Sequence, residues 1–231
     1  QGSYSNGDKL NRTGLTISAQ PTNVYLSLEH MDTNSFGNRY HLYVNVPEGS
    51  RIDAVYGDED NPLSIEGALY QHDVGSVTSV GINEALLRIP DYSDLNYDSW
   101  VTIGKENGTD NELKDVNIDF GENGIETTNG SWFVTADDEQ GREINGKVLI
   151  GQFTLIEGEL NVSVNVQGSY SNGDKLNRTG LTISARTDLT ISTRTQPPSS
   201  SDRIIISLID NINTNKDNFN INNDINELEY D

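Results

Sequence analysis

At 231 residues, with 36 acidic against 15 basic side chains, the chain carries a formal net charge of −21. Such a surface has little with which to neutralise phosphates, which argues against nucleic acid and disfavours an anionic membrane surface as partners. Cysteine is absent, which removes disulfides, thiolate catalysis and Cys-ligated zinc together.

Hydrophobic residues make up 33% of the chain, lean but sufficient for the core of one large β domain. The excess acid suits an extracellular protein, one in saline water, or one that gathers divalent cations. No apolar run approaches membrane length, and no secretory leader is recognisable. The chain opens on Gln1 rather than Met, which reads as a processed or excised piece and favours secretion.

The first nineteen residues, QGSYSNGDKLNRTGLTISA (1–19), return unchanged at 167–185, an offset of 166 residues. Each copy reads as strand, turn, strand. Ser-Asn-Gly-Asp is turn chemistry, and in the strand after it Leu15 and Ile17 alternate with Thr16 and Ser18. The second copy is led in by LNVSVNV (160–166), which the first copy lacks. Three readings are open: one unit of a tandem array with its overhang, a donor strand that completes a sheet in a neighbouring molecule, or a duplication or cloning accident without a role. Strand donation from head to tail does not close, and builds a filament.

From Asn23 onward polar and apolar residues alternate almost everywhere. NVYLSLEH places Val24, Leu26 and Leu28 on one face, and RYHLYVNV does the same with Tyr40, Leu42, Val44 and Val46. RIDAVYG, SWVTIG, KDVNIDF, GSWFVT and KVLIGQFTLIE come next, between Gly, Asn, Asp and Pro clusters. About ten short strands with turn signals between them predict an all-β fold, an antiparallel β-sandwich or jelly roll. INEALLRIP predicts one helical turn, with Pro90 stopping it. The main domain spans 20–195 and ends on a strand over 186–195. A Pro/Ser linker follows at 196–202, then an edge strand and an Asn/Asp-rich tail at 203–231.

Three acidic stretches, GDEDNP, DYSDLNYD and TADDEQG, offer the several oxygens that calcium needs. Their candidate ligands are Asp58, Asp60, Asp94, Asp98, Asp137 and Asp138. The tail loosely echoes a dockerin-type loop, with Asn213, Asn215, Asp217 and Asp224 at ligand positions and Asn218 where the turn glycine belongs. Calcium is the one cofactor considered. Trp100 and Trp132 lie in strand-like segments flanked by apolar residues, which suits core anchors; exposed, they could instead stack on sugar rings and bind polysaccharide. His30, His41 and His72 are scattered, without ligand spacing for zinc. A triad of His41, Asp73 and a serine lacks a G-x-S-x-G elbow, so no catalytic residue is assigned. Asn-x-Ser/Thr sequons at Asn11, Asn107, Asn129, Asn161 and Asn177 are glycosylation candidates.

AVYGDEDNPLSI, YQHDVGS, YDSWVTIG and GSWFVTADDEQ, closing on KVLIGQFTL, resemble a β-rich module of secreted surface or matrix proteins of marine bacteria and algae, over residues 24–166. The resemblance implies an extracellular β module, repeated in long chains, and assigns no binding residue. The expected function is therefore that of a non-enzymatic structural module of a repetitive cell-surface, matrix or filament protein, self-associating through strand edges. A carbohydrate-binding adhesion module and a viral capsid or fibre jelly roll are the alternatives.

Overall fold

The computed structural model describes residues 23–187. The first copy of the duplicated stretch, residues 188–195 of the last expected strand, the 196–202 linker and the 203–231 tail with its dockerin-like loop lie outside the described residues. Within them the chain is all-β, antiparallel and sandwich-like. The strands are β1 (Tyr25–Asn34), β2 (Gly37–Asn45), β3 (Arg51–Tyr56), β4 (Leu63–Leu69), β5 (Trp100–Val101), β6 (Lys114–Val116), β7 (Gly124–Thr127), β8 (Ser131–Phe133), β9 (Lys147–Ser169) and β10 (Lys175–Arg186).

The β1–β2 hairpin follows from its local sequence. Val24 and Leu26 are buried and Leu28 half-buried, while Tyr25 between them faces solvent. Asn34 Oδ1 accepts from the Phe36 amide at 2.7 Å, closing a two-residue loop. Gly37 then turns with φ +140°, where any side chain would meet the Leu155 carbonyl. The expected face of Tyr40, Leu42 and Val44 on β2, with Val46 just past its end, is buried throughout.

β9 organises the rest. It runs for 23 residues and is hydrogen-bonded along both edges. Leu155 pairs with Asn38 of β2 and Leu69 of β4, Val162 with Ile183 of β10 and Ile65 of β4, and Val166 with Arg178 of β10 and Val55 of β3. One edge thus carries β2 and then β10, and the other carries β5, β4 and β3. KVLIGQFTLIE and LNVSVNV are therefore one strand and not two. Between the two stretches Gly158 takes φ +81°, and the pairing with β4 shifts register there, so the strand bends without ending.

The two halves of β9 are buried differently. From Val148 to Leu155 every residue is buried, on both faces, whereas burial alternates over 159–163 and becomes continuous again only over Val164–Val166. One face of the first half joins the main core around Trp132, Phe153, Leu42 and Ile150. The other face is roofed by the excursion between β4 and β5. There Ile82, Leu95, Trp100 and Leu149 form a second, small cluster with Tyr43, Leu86 and Leu87. The roof contains the anticipated helical turn, Glu84–Leu87, capped by Asn83. DYSDLNYD is not an open acidic loop, as its charge suggests, but a 3-10 segment over Pro90–Tyr97 that begins at Pro90 and buries Leu95.

Asn165 ties the second half of β9 to three neighbours. It is 1% exposed. Its amide donates to the carbonyls of Tyr56 (3.0 Å) and Asn61 (2.7 Å), and its oxygen accepts from the Gly180 amide at 2.9 Å. Asn165→Ala removes all three hydrogen bonds of a buried side chain and is expected to cost about 1–3 kcal/mol. Asn161→Ala, on an exposed position of the same strand, is expected to stay within about 0.5 kcal/mol. Urea unfolding of the two variants checks the contrast.

Candidate functional site

The second copy of the duplicated stretch forms the end of β9, a turn at 170–174 and all of β10 except Arg186. The strand–turn–strand expectation holds at this position. The Tyr170 and Gly173 amides close the turn on the carbonyls of Asp174 and Tyr170, at 2.9 Å each. β10 then lies antiparallel on β9 from Lys175↔Ser169 to Arg186↔Glu159, with a bulge between Arg178 and Leu181. Gly180 supplies the bulge with φ +64°, and Asn165 satisfies its amide.

Glu159 to Ser169 of β9 thus form a cradle for one particular strand. Leu176 is 1% exposed in it, and Leu181, Ile183 and Ala185 pack half-buried against the main core. The rim adds polar contacts. Tyr56 donates its hydroxyl to Asn177 Oδ1 at 3.0 Å, and Arg178 Nη2 donates to the Tyr170 hydroxyl at 2.8 Å. An ion pair of Arg186 with Glu159 (3.2 Å) closes the far end. The apolar alternation of the strand and the bulge glycine together set the register.

The acidic candidates are turned toward the backbone. Asp58 Oδ1 accepts the amides of Asp60 (3.0 Å) and Asn61 (2.7 Å), folding the GDEDNP loop on itself. Asp138 Oδ1 accepts from the Gln140 amide at 2.9 Å and caps a 3-10 turn. Asp60 and Asp137 are exposed. No group of three His, Asp or Glu side chains placed to hold a metal ion occurs among the described residues.

Asp94 and Asp98 do come together, around His72. The His72 ring bonds Asp94 Oδ1 through Nε2 at 3.1 Å, and Nδ1 accepts from the Val74 amide at 3.1 Å. Asp98 is wholly buried. Its two oxygens accept the His72 amide at 2.8 Å and the Ser76 amide at 2.9 Å, closing the loop between them. Gly75 sits against this carboxylate, and a side chain there would collide with it. Burial pushes the Asp98 carboxyl above its ordinary value. The donated amides of His72 and Ser76, the His72 charge and the Ser99 amide oppose that rise. Tyr70 nearby is raised by burial first, then by Asp94, Asp98 and Asp73. The cluster shapes a loop around a buried carboxylate.

The tryptophans are 3% (Trp100) and 0% (Trp132) exposed. Trp132 Nε1 donates to the Thr102 carbonyl at 2.8 Å, and Trp100 belongs to the small cluster under the roof. Glycan stacking on either ring is therefore corrected: Trp132 alternates with half-buried Ser131 and Phe133 toward the main core, and Trp100 lies in the continuously buried stretch 98–103. His41 bonds Gln152 Oε1 at 2.9 Å rather than Asp73. Of the sequons, Asn129, Asn161 and Asn177 are exposed and Asn107 is half-buried; Asn11 lies outside the described residues. A shallow depression of about 600 Å³ over the helical turn includes Ile82, Glu84, Arg88 and Thr109 in its lining. Its Glu84 is held by Arg88 and, at 3.4 Å, by the Thr109 hydroxyl.

No protein-family model, no curated protein and no solved structure matches the chain.

Asp98 gives a pH signature. An acid whose pKa is raised by folding takes up protons more readily in the folded state. Its contribution is therefore most favourable in acid and declines as pH rises from its ordinary value of 3.8 through the raised one. Asp98→Asn removes this dependence, and also one acceptor for the Ser76 amide. The variant is expected to melt lower than the parent, by a margin that is largest in acid and narrows as pH rises. Melting curves of both proteins across pH test the sign. The tryptophans are expected to emit in the blue and resist acrylamide until the chain unfolds; a red, quenchable spectrum of the native protein contradicts their burial.

Proposed function

We propose that the chain is a non-enzymatic structural module of an extracellular surface, matrix or filament protein, and that it joins its neighbours through sheet edges. The observation that carries this reading is the identity of the doubled segment. At its described position it supplies a whole strand of the sheet, fitted to the cradle on β9. A chain that encodes such a strand twice has the means to continue a sheet into another molecule, with main-chain hydrogen bonds for continuity and Leu/Ile alternation for register. The polar side chains with buried contacts, Asn165, Asp98 and Gln152 among them, hold backbone in place, as suits a module that bears tension. The exposed sequons at Asn129, Asn161 and Asn177 suit an extracellular setting.

Charge governs the assembly. At −21 per chain, neighbours repel until salt screens them, the screening length falling from about 30 Å at 0.01 M to about 8 Å at 0.15 M. Calcium would act at exposed carboxylates such as Asp60 and Asp137 as a counterion between modules. Light scattering and negative-stain microscopy over that salt range test the reading: oligomers or filaments are expected to grow with salt. Calcium is expected to exceed sodium at equal ionic strength, and EDTA to return the calcium-treated sample to the sodium level. A monomer under all of these conditions contradicts the proposal.

A further inference from the structure

We infer that the β9 cradle is a strand-exchange site, and that its second occupant is residues 1–19 of another molecule of the same chain. The inference rests on the structural-module reading above and names the partner surface within it. Residues 9–19 repeat 175–185 without change, so Leu10, Leu15, Ile17 and Ala19 take the places of Leu176, Leu181, Ile183 and Ala185. Gly14 falls where Gly180 forms the bulge against Asn165, and Asn11 falls where Asn177 meets the Tyr56 hydroxyl. The correspondence stops at the rim, where Gln20 replaces Arg186. That loses the exposed pair with Glu159, an interaction worth little at a surface.

The reach of the chain directs this strand outward. Tyr25 pairs with Asn45, and Asn45 with Lys147, at the start of β9. Ala185 pairs with Leu160, thirteen residues further along the same strand. That is about 40 Å of extended chain, and the ten residues from Lys147 to Glu157 alone, before the bend at Gly158, make about 33 Å of it. The five residues 20–24 that separate Ala19 from Tyr25 span at most about 20 Å. A molecule therefore does not fill its own cradle with its own first copy; a neighbour's cradle is in reach. Within one molecule the short turn at 170–174 keeps β10 at millimolar effective concentration or higher. The incoming strand therefore enters where β10 has withdrawn, and each donation leaves the next cradle in line to receive.

The test disables β10 in the otherwise complete chain, with Leu176→Asp and Ile183→Asp. Size-exclusion chromatography with light scattering is expected to show head-to-tail oligomers. Adding Leu10→Asp and Ile17→Asp to the same chain is expected to abolish them. A synthetic peptide of residues 1–19 in excess is expected to cap the cradles, dissolving the oligomers and raising the melting temperature toward that of the parent. Should the doubly substituted chain fail to fold, recovery of a cooperative melt on adding the peptide supports the exchange equally. A monomer, or an unfolded chain, that does not respond to the peptide overturns it. The parent answers the wider reading separately. If it assembles with salt while the variant ignores the peptide, edge assembly stands and the exchange site falls. If the peptide rescues the variant while the parent stays monomeric, the exchange site stands and the assembly reading falls.

Discussion

The fold depends on one strand being hydrogen-bonded along both edges for most of its length. β9 receives β2 and β10 on one side and β5, β4 and β3 on the other, so five strands take their register from it. A strand used this way must satisfy two surroundings in sequence. Its first half is buried on both faces, under the main core and under the roof. Its second half turns one face to solvent. The change occurs at Ile156–Gly158, three residues outside the core, where a glycine at positive φ lets the strand bend without ending. Large inward side chains on either side, Phe153 and Leu155 before and Leu160 and Val162 after, hold both halves to the same cluster.

Polar groups inside this frame serve geometry. Gln152 donates to the Asp98 carbonyl at 2.8 Å and the Asn96 carbonyl at 3.0 Å, fixing the roof to the first half of β9. Asn165 does the corresponding work in the second half. Arg51, 7% exposed, pairs with Asp53 and donates to the carbonyls of Thr135 and Asp138, which docks the TADDEQG loop on β3. Each is a buried polar side chain whose partners are mostly main-chain atoms of another element. That pattern ties loops to a rigid sheet, because a main-chain group taken from water needs a replacement partner.

Much of this was legible in the sequence, and the misses have physical causes. Period-two alternation located β1, β2 and the second half of β9, because one face of each meets the core. β4 and β7 escaped because Gly67 and Gly124 interrupt them, and glycine reads as a turn until its neighbours are known. Gly124 in fact takes φ +109° beside the Ile65 carbonyl. KVLIGQFTL shows no alternation that would reveal two buried faces, and a continuous apolar run does not say what covers it. Asn165 was invisible for a similar reason. In LNVSVNV it shares the polar phase with Asn161 and Ser163, and only the arrival of the 57–61 loop over that position buries it. Acidic loops likewise advertise oxygens without showing that amides already occupy them, as at Asp58, Asp98 and Asp138. The doubled stretch was plain in the sequence; that β10 lies in a cradle with a defined bulge was not.

β9 as a single cooperative strand is the claim on which the rest stands, and native-state hydrogen exchange measures it most directly. Amides of its two halves, at Ile150 and Phe153 on one side of the bend and at Val162 and Val164 on the other, are expected to exchange through one common opening. The free energy of that opening should equal that of global unfolding. If the 160–166 amides open at markedly lower energy while those at 148–155 remain protected, the two halves are separate elements and β9 does not unite the fold.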